Sequence, residues 1–323
     1  GDVVHWSPYS QDGGVKPGVL VTDNGFWDTF RTVYPMLGLL FPDHLGNIVQ
    51  GWLNAYRDGG WLPSWASPGY RNCMVGTFAD VVIADAIVKS IPGFDTDLAV
   101  QALIKDSFSN PPREAGGAVG KENLDTYDRL GYLPSEPSGH DYVSRTLDYA
   151  FSDWSVGQAF TTILKSNGLH KASAVKSVNS NDLSSKKTKL IGRAMKAHSA
   201  LFDRSKGLMV PKDTGGRVAT HGGGFDAIKW GFGYTEGNSW HHSFPAFAVD
   251  SLAKLHGGKE QLANKIKELI RIPSNFHAGS YGQEIHEMTE ARAFAMGQYM
   301  HNNQPVHHIL YILAAIGYGK DAQ

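Results

Sequence analysis

YVSRTLDYAFSDWSVGQAFTTILKS, residues 142–166, decides how this chain is read. Leu147, Ala150, Phe151, Trp154, Ala159 and Ile163 recur at three- and four-residue intervals, the spacing of one face of an α-helix. Ser144 is the expected cap at its start. Working outward, DHLGNIVQGWLNAYRD (43–58) carries the same stripe at Leu45, Ile48, Val49, Trp52 and Leu53. ADVVIADAIVKSI (79–91) is apolar on nearly every side and stops at Pro92-Gly93. DTDLAVQALIKDSF (95–108) opens on acidic residues that suit a helix N-terminus. Residues 185–203, 244–255, 258–271 and 305–317 complete the helical set, with Pro305 at a first helical position. No long window alternates with a period of two, so short strands are expected only near 61–65, 207–212 and 217–219. The Ser/Lys-rich stretch 171–187 reads as a flexible surface excursion. The glycine runs 13–14, 116–117 and 222–224 read as turns, since no P-loop Lys-Ser/Thr follows them. Helices that recur in pairs between long loops fit an all-α toroid of helical hairpins, with the site at the end where the loops gather.

Composition narrows the function. The 323 residues carry 30 Lys+Arg and 31 Asp+Glu, for a net charge of −1. That balance argues against nucleic acid, whose phosphates require clustered cations. No apolar stretch reaches the ~20 residues of a membrane span. The single cysteine, Cys73, makes no intrachain disulfide and reads as a small packed residue. Aromatic residues are plentiful, with 8 Trp, 13 Tyr and 15 Phe. They suit sugar stacking and a large core equally well.

Four loops concentrate aromatic, acidic, amide and glycine residues: DNGFWDTFRT (23–32), GGWLPSWA (59–66), GFGYTEGNSWHH (231–242) and GQYMHNNQPVHH (297–308). Aromatic platforms, amides and carboxylates with few cations describe a neutral polyhydroxylated ligand, a sugar first of all. Glycosidic cleavage needs one carboxylic acid to protonate the leaving oxygen and a second carboxylate as base or nucleophile. Glu236 is the best acid, with Tyr234 and Trp240 placed to desolvate it. The same residues admit plainer roles. Glu236 suits a cap for the helix that follows it, and Trp27 and Asp28 suit a core Trp and an N-cap. The pairs His241-His242 and His307-His308 lack an HExxH or CxxC context for zinc and read as packing and hydrogen-bonding groups.

The ordered set GFWDTFRT (25–32), GGWLP (59–63), CMVG (73–76), GYLP (131–134), TLDYAFSDW (146–154), GYTEGNSW (233–240) and GQYMHNNQPVHH (297–308) resembles glycoside hydrolase family 92, the calcium-dependent inverting exo-α-mannosidases. The resemblance spans nearly the whole chain. It implies that residues 1–323 form most of an (α/α)6 catalytic domain. The N-terminal β-sandwich and the segment bearing the general-base aspartates would then be other parts of the same protein. It implies Glu236 as general acid. Trp27, Asp28, Arg31, Trp240, His301 and Asn302 would bind the terminal mannose. Asn303 and Gln304 would hold Ca2+, a hard cation that takes six to eight oxygens. Two positions depart from the family pattern: Gln304 stands where the family carries Glu, and Thr77 where it carries an acidic residue. Neither Asp250 nor Glu290 matches the base motif. The expected activity is hydrolysis of terminal α-linked mannose from glycans, outside the cell or in the secretory pathway. Gln304 and the unmatched base leave a second reading open, a catalytically silent relative that binds mannose-type glycans or serves in an assembly.

Overall fold

Apolar residues at helical spacing bury their stripes, and the computed structural model of the chain is accordingly mostly helical. It describes residues 3–136, 141–167, 175–220 and 223–323. The chain divides into two compact units. One comprises Gly1–Asp125 with Ser152–Arg193, the other Thr126–Phe151 with Ala194–Gln323.

In the first unit, helix Pro42–Gly59 starts on its proline and stops at Gly60, which adopts the left-handed φ of +82° that glycine accommodates. Leu45, Val49, Trp52 and Leu53 form its buried stripe. Trp52 meets Phe26 edge-on at 4.8 Å and donates its indole N–H to the Tyr34 hydroxyl at 3.0 Å. Gly46 lets the helix approach the next turn closely, since a Cβ there would fall 1.8 Å from the Pro92 carbonyl oxygen. Helix Phe78–Val88 is buried along almost its whole length. Helix Thr96–Phe108 is capped by Asp95, which accepts from the Leu98 N–H at 3.0 Å. Two antiparallel ladders complete the unit, Val4–Trp6 with Val15–Pro17 and Asn24–Gly25 with Trp65–Ala66.

The centre of this unit is charged. Asp80, Asp153 and Lys121 are fully buried, and Asp106 and Arg193 nearly so. Arg193 grips Asp153 through two nitrogens, at 2.6 and 2.7 Å. Lys121 Nζ lies 3.4 Å from Asp80 and 3.5 Å from Asp153. Ser152 donates to Asp80 at 2.8 Å. Burial and the neighbouring Asp80 hold the Asp106 carboxyl well above the usual carboxylate range. Burial pushes the Asp80 carboxyl up as well, against the pull of the Lys121 ammonium.

In the second unit, helices Val249–His256 and Lys259–Arg271 form a tight pair across Gly257 and Gly258, both at positive φ. Helices His286–Phe294 and Ile309–Ala315 follow. Phe202–Asp203 pairs with Leu208–Met209. Trp230, Phe276, Met288, Ala291 and Met300 form one core cluster. His198 is fully buried against Phe247 at 4.2 Å, and neither of its ring nitrogens has a hydrogen-bond partner.

Several sequence expectations shift. The long helix runs Tyr142–Asn167, but Ser144 lies inside it and does not cap it; its hydroxyl accepts from the Thr235 N–H at 2.8 Å instead. Phe151 and Trp154 are only partly buried. The helix expected from 185 begins at Ser180. Of the expected excursion, residues 171–174 lie outside the described set. Lys176 and Ser177 are tied down by their N–H groups to Asp97, at 2.8 and 2.9 Å. The helix expected from 244 begins at Val249. That expected from 305 splits into a 3-10 turn, Gln304–Val306, and helix Ile309–Ala315. Of the glycine run 222–224, residue 222 lies outside the described set, and Gly223 and Gly224 take positive φ.

Removing one buried charge leaves its partners uncompensated. Lys121→Met is expected to lower unfolding stability by about 3–5 kcal/mol, read from urea midpoints. Asp106→Asn, which replaces a carboxyl that burial holds toward its neutral form, is expected to change it by less than about 1 kcal/mol.

Candidate active site

The second unit builds its site from the loop 230–238. Four residues in it have left-handed φ: Gly231 (+72°), Phe232 (+49°), Gly233 (+111°) and Glu236 (+46°). For Phe232 and Glu236 this conformation is costly, on the order of 1–3 kcal/mol each, and persists only where surrounding contacts impose it. Those contacts are present. The N–H groups of Val143 and Ser144, at the start of helix Tyr142–Asn167, both donate to the Gly233 carbonyl at 3.0 Å. A side chain at Gly233 would run into the Tyr142 ring at 2.4 Å. The Thr235 N–H donates to Ser144 Oγ, and the Thr235 carbonyl accepts from His242 Nε2 at 2.8 Å.

Asn238 then caps the short helix Ser239–His242, accepting from the Trp240 N–H at 3.0 Å. The capping role open to Glu236 in the sequence is thus filled by its neighbour. His241 Nδ1 accepts from the Asn238 N–H at 3.1 Å, so its proton sits on Nε2. Burial above all, with His242 adding to it, lowers the His241 pKa to about 3. The Asn238 amide donates to Gln298 Oε1 at 2.7 Å, and both side chains are fully buried. Gln298 passes the link on by donating to the carbonyls of Pro273 and Asn275 at 3.2 and 2.8 Å.

Glu236 itself is partly exposed. Its N–H donates to the Tyr281 hydroxyl at 2.9 Å, and its carbonyl accepts from Asn303 Nδ2 at 3.3 Å. Burial, reinforced by the carboxylates of Glu236, Asp141 and Glu287, pushes the Tyr281 hydroxyl up to about 12. Tyr281 therefore stays protonated. The aromatic residues expected to surround the acid are committed elsewhere. The Tyr234 hydroxyl donates to the Met209 carbonyl at 2.8 Å, and Trp240 is buried with Lys265 Nζ 4.3 Å from its ring centre.

The loop 297–308 supplies the remaining residues of this unit. Asn303 is buried, its Oδ1 accepting from the Gln304 N–H at 2.9 Å. Asn302 is exposed and donates to Glu290 Oε2 at 3.0 Å and to the Glu287 carbonyl at 3.1 Å. His301 is exposed, stacks on Tyr299 at 5.6 Å and lies 5.0 Å from His307. Asp250 is 86% exposed and pairs loosely with Lys259 at 3.9 Å. Trp27, Asp28 and Arg31 belong to the first unit. Trp27 is only 3% exposed, with the Arg31 guanidinium 4.5 Å above its ring. Asp28 sits in the first turn of helix Phe26–Thr29, whose cap is Gly25. Trp27 is thus placed as a core residue, and Asp28 is not the N-cap.

Among the described residues, no three His, Cys, Asp or Glu side chains converge as a metal site. Asn303 and Gln304 carry amide oxygens, hard donors of the class that calcium takes and that sulfur- or imidazole-seeking metals do not.

The catalytic-domain model of glycosyl hydrolase family 92 matches residues 2–323. This chain belongs to that family. Its fold resembles that of a family GH92 inverting mannosidase from Bacteroides thetaiotaomicron, with a TM-score of 0.76 and 34% identity, over 97% of this chain and 39% of that one. A family GH92 alpha-mannosidase of the same bacterium, in complex with mannoimidazole, gives 0.75 at 22% identity, over 97% of this chain and 38% of that one. An uncharacterized secreted glycosidase of Arthroderma benhamiae is 36% identical over 118 residues, 32% of this chain and 14% of that protein. The family member thus spans well under half the length of these relatives.

Sequence reasoning singled out Glu236 and the 301–304 loop but not the hydrogen bonds from Ser144, Gln298 and Tyr281 that hold the loop around Glu236. Tyr281 carries no local signal beyond its glycine-flanked turn, GSYG (279–282).

The buried histidines make the fold acid-sensitive. Burial lowers His198 to about 4, and His241 lies at about 3, whereas both titrate near 6.5 when unfolded. Their contribution is complete above pH 6.5 and is lost as pH falls from there toward the folded values. Each ring is expected to contribute a slope of up to about 1.4 kcal/mol per pH unit in that window. His198→Leu should reduce the measured slope by one proton's share, and an unchanged slope would refute this origin.

Proposed function

We propose that this chain is the main part of the catalytic domain of an exo-α-mannosidase, an (α/α)6 toroid that removes terminal α-linked mannose from glycans with inversion. The observation that carries the reading is Glu236. It is a partly exposed carboxyl on a strained loop held by buried hydrogen bonds, in a chain of family 92. Membership in the family and the likeness to a solved inverting mannosidase support it.

On this reading Glu236 protonates the leaving glycosidic oxygen while a carboxylate base activates water on the opposite face of the sugar. Inversion requires the two carboxyls to be ~6.5–9.5 Å apart. The base is assigned to another part of the protein, consistent with the greater length of the solved relatives, which also leaves room for a β-sandwich domain. The residues proposed to bind the sugar are Trp27, Asp28, Arg31, Trp240, His301 and Asn302. His301 and Asn302 are the exposed members, whereas Trp27 and Trp240 are buried. Asn303 and Gln304 would hold Ca2+, which would supply a hard, oxygen-seeking charge suited to sugar hydroxyls. Secretion is proposed as well, in line with the description of the fungal relative as secreted.

Glu236→Gln cannot deliver a proton. It is expected to cut the hydrolysis of an α-linked mannobiose by about 10²–10⁴-fold with the fold retained. Product release followed by NMR, with β-mannose appearing first, tests inversion in the same run. Activity equal to the parent protein would remove Glu236 from the mechanism. A parent protein that binds mannose but releases none would favour the silent glycan-binding relative, for which the neutral amide of Gln304 is the motivating observation.

A further inference from the structure

The acid is held by a residue that the motif does not contain. Glu236 has a left-handed backbone, and its N–H is satisfied by Tyr281 Oη at 2.9 Å. Tyr281 is itself fixed to the same loop from several sides. It ends the 3-10 turn Gly279–Tyr281, which lies along residues 230–232. The Trp230 N–H donates to the His277 carbonyl at 2.9 Å, and the Ser280 N–H donates to the Trp230 carbonyl at 3.2 Å. The Phe232 N–H donates to Ser280 Oγ at 3.3 Å. The Tyr281 ring meets fully buried Trp230 edge-on at 5.7 Å. Gly279 permits this approach, since a Cβ there would lie 2.0 Å from the Trp230 carbonyl oxygen.

We propose that Tyr281 is the positioning residue of the general acid: its hydroxyl oxygen, by accepting the Glu236 N–H, locks the backbone that aims the Glu236 carboxyl at the leaving oxygen. This rests on the reading of Glu236 as the acid. Without the hydroxyl, the N–H loses its partner, and the left-handed φ loses a contact that offsets its strain. The carboxyl then samples orientations in which proton delivery fails. A displacement near 1 Å is enough to cost about 10²-fold in rate.

The test separates aiming of the acid from general support of the fold. A mannoside with a dinitrophenolate leaving group departs without protonation, whereas a mannobiose needs the acid. The whole protein carrying Tyr281→Phe is expected to lose about 10- to 100-fold in kcat on α-linked mannobiose and less than about threefold on the dinitrophenyl mannoside. Equal losses on both substrates, or no loss on either, would overturn the proposal. If Tyr281→Phe does not fold, Ser280→Ala loosens the same turn. A loss confined to mannobiose supports the proposal, and a loss shared by both substrates, or absent from both, overturns it. A parent protein that hydrolyses neither substrate overturns the mannosidase reading itself. A parent protein that is active but indifferent to Glu236→Gln overturns the acid assignment.

Discussion

A single buried amide contact, Asn238 to Gln298 at 2.7 Å, underlies the arrangement of the site. Both side chains are sealed from water, so neither has solvent as an alternative partner. Leaving either unpaired would cost about 1–3 kcal/mol, more than an ordinary exposed hydrogen bond contributes. Asn238 also caps helix Ser239–His242, and Gln298 also ties down the carbonyls of Pro273 and Asn275. Five residues after Gln298 comes Asn303, which reaches back to the Glu236 carbonyl. The Glu236 loop and the 297–308 loop are therefore fastened together at two points, one fully buried and one part-buried.

That fastening explains how a glutamate tolerates a left-handed backbone. The strain at Phe232 and Glu236 is local, a few kcal/mol in all. Opposing it are the two N–H groups on the Gly233 carbonyl and the bonds Thr235 to Ser144, Glu236 to Tyr281 and Phe232 to Ser280. Each contributes only about 0.5–1.5 kcal/mol net, and the buried bond from Thr235 to Ser144 also keeps a polar group from going unpaired. The loop is stiff because many modest contacts agree on one conformation.

The long helices were legible in the sequence because burial imposes a 3.6-residue rhythm that composition cannot hide. The Pro92-Gly93 pair announced by chemistry alone that a helix stops ahead of it, and helix Phe78–Val88 does so. Less legible were the functions of residues whose side chains have two plausible employers. Ser144 reads as a helix cap, yet it is spent on a loop 91 residues away. Trp27 reads equally as a sugar platform or a core residue, and Trp240 as a neighbour of Glu236; the structure buries both, each beside a cation. Glu236 stood out because glycines and aromatic residues crowd it. Tyr281 did not, because its role exists only once residues 279–281 lie along residues 230–232. Contacts of that kind are set by tertiary packing, which periodicity does not encode.

Burial also fixes the protonation state of the cap behind Glu236. A general acid acts only while protonated, so the reading of Glu236 as that acid asks its surroundings to keep their shape toward the acidic side. The cap behind Glu236 needs the opposite of its histidine, because His241 Nδ1 accepts the Asn238 N–H only while the imidazole is neutral. An ordinary imidazole would be charged on that side and would repel the N–H it is meant to bind. Desolvation lowers the His241 pKa to about 3 and so keeps the acceptor lone pair available. The Trp230 ring packed edge-on at 5.5 Å is part of that dry surrounding. The apolar core cluster containing Trp230 thus helps preserve the geometry of the Glu236 loop below the ordinary imidazole pKa.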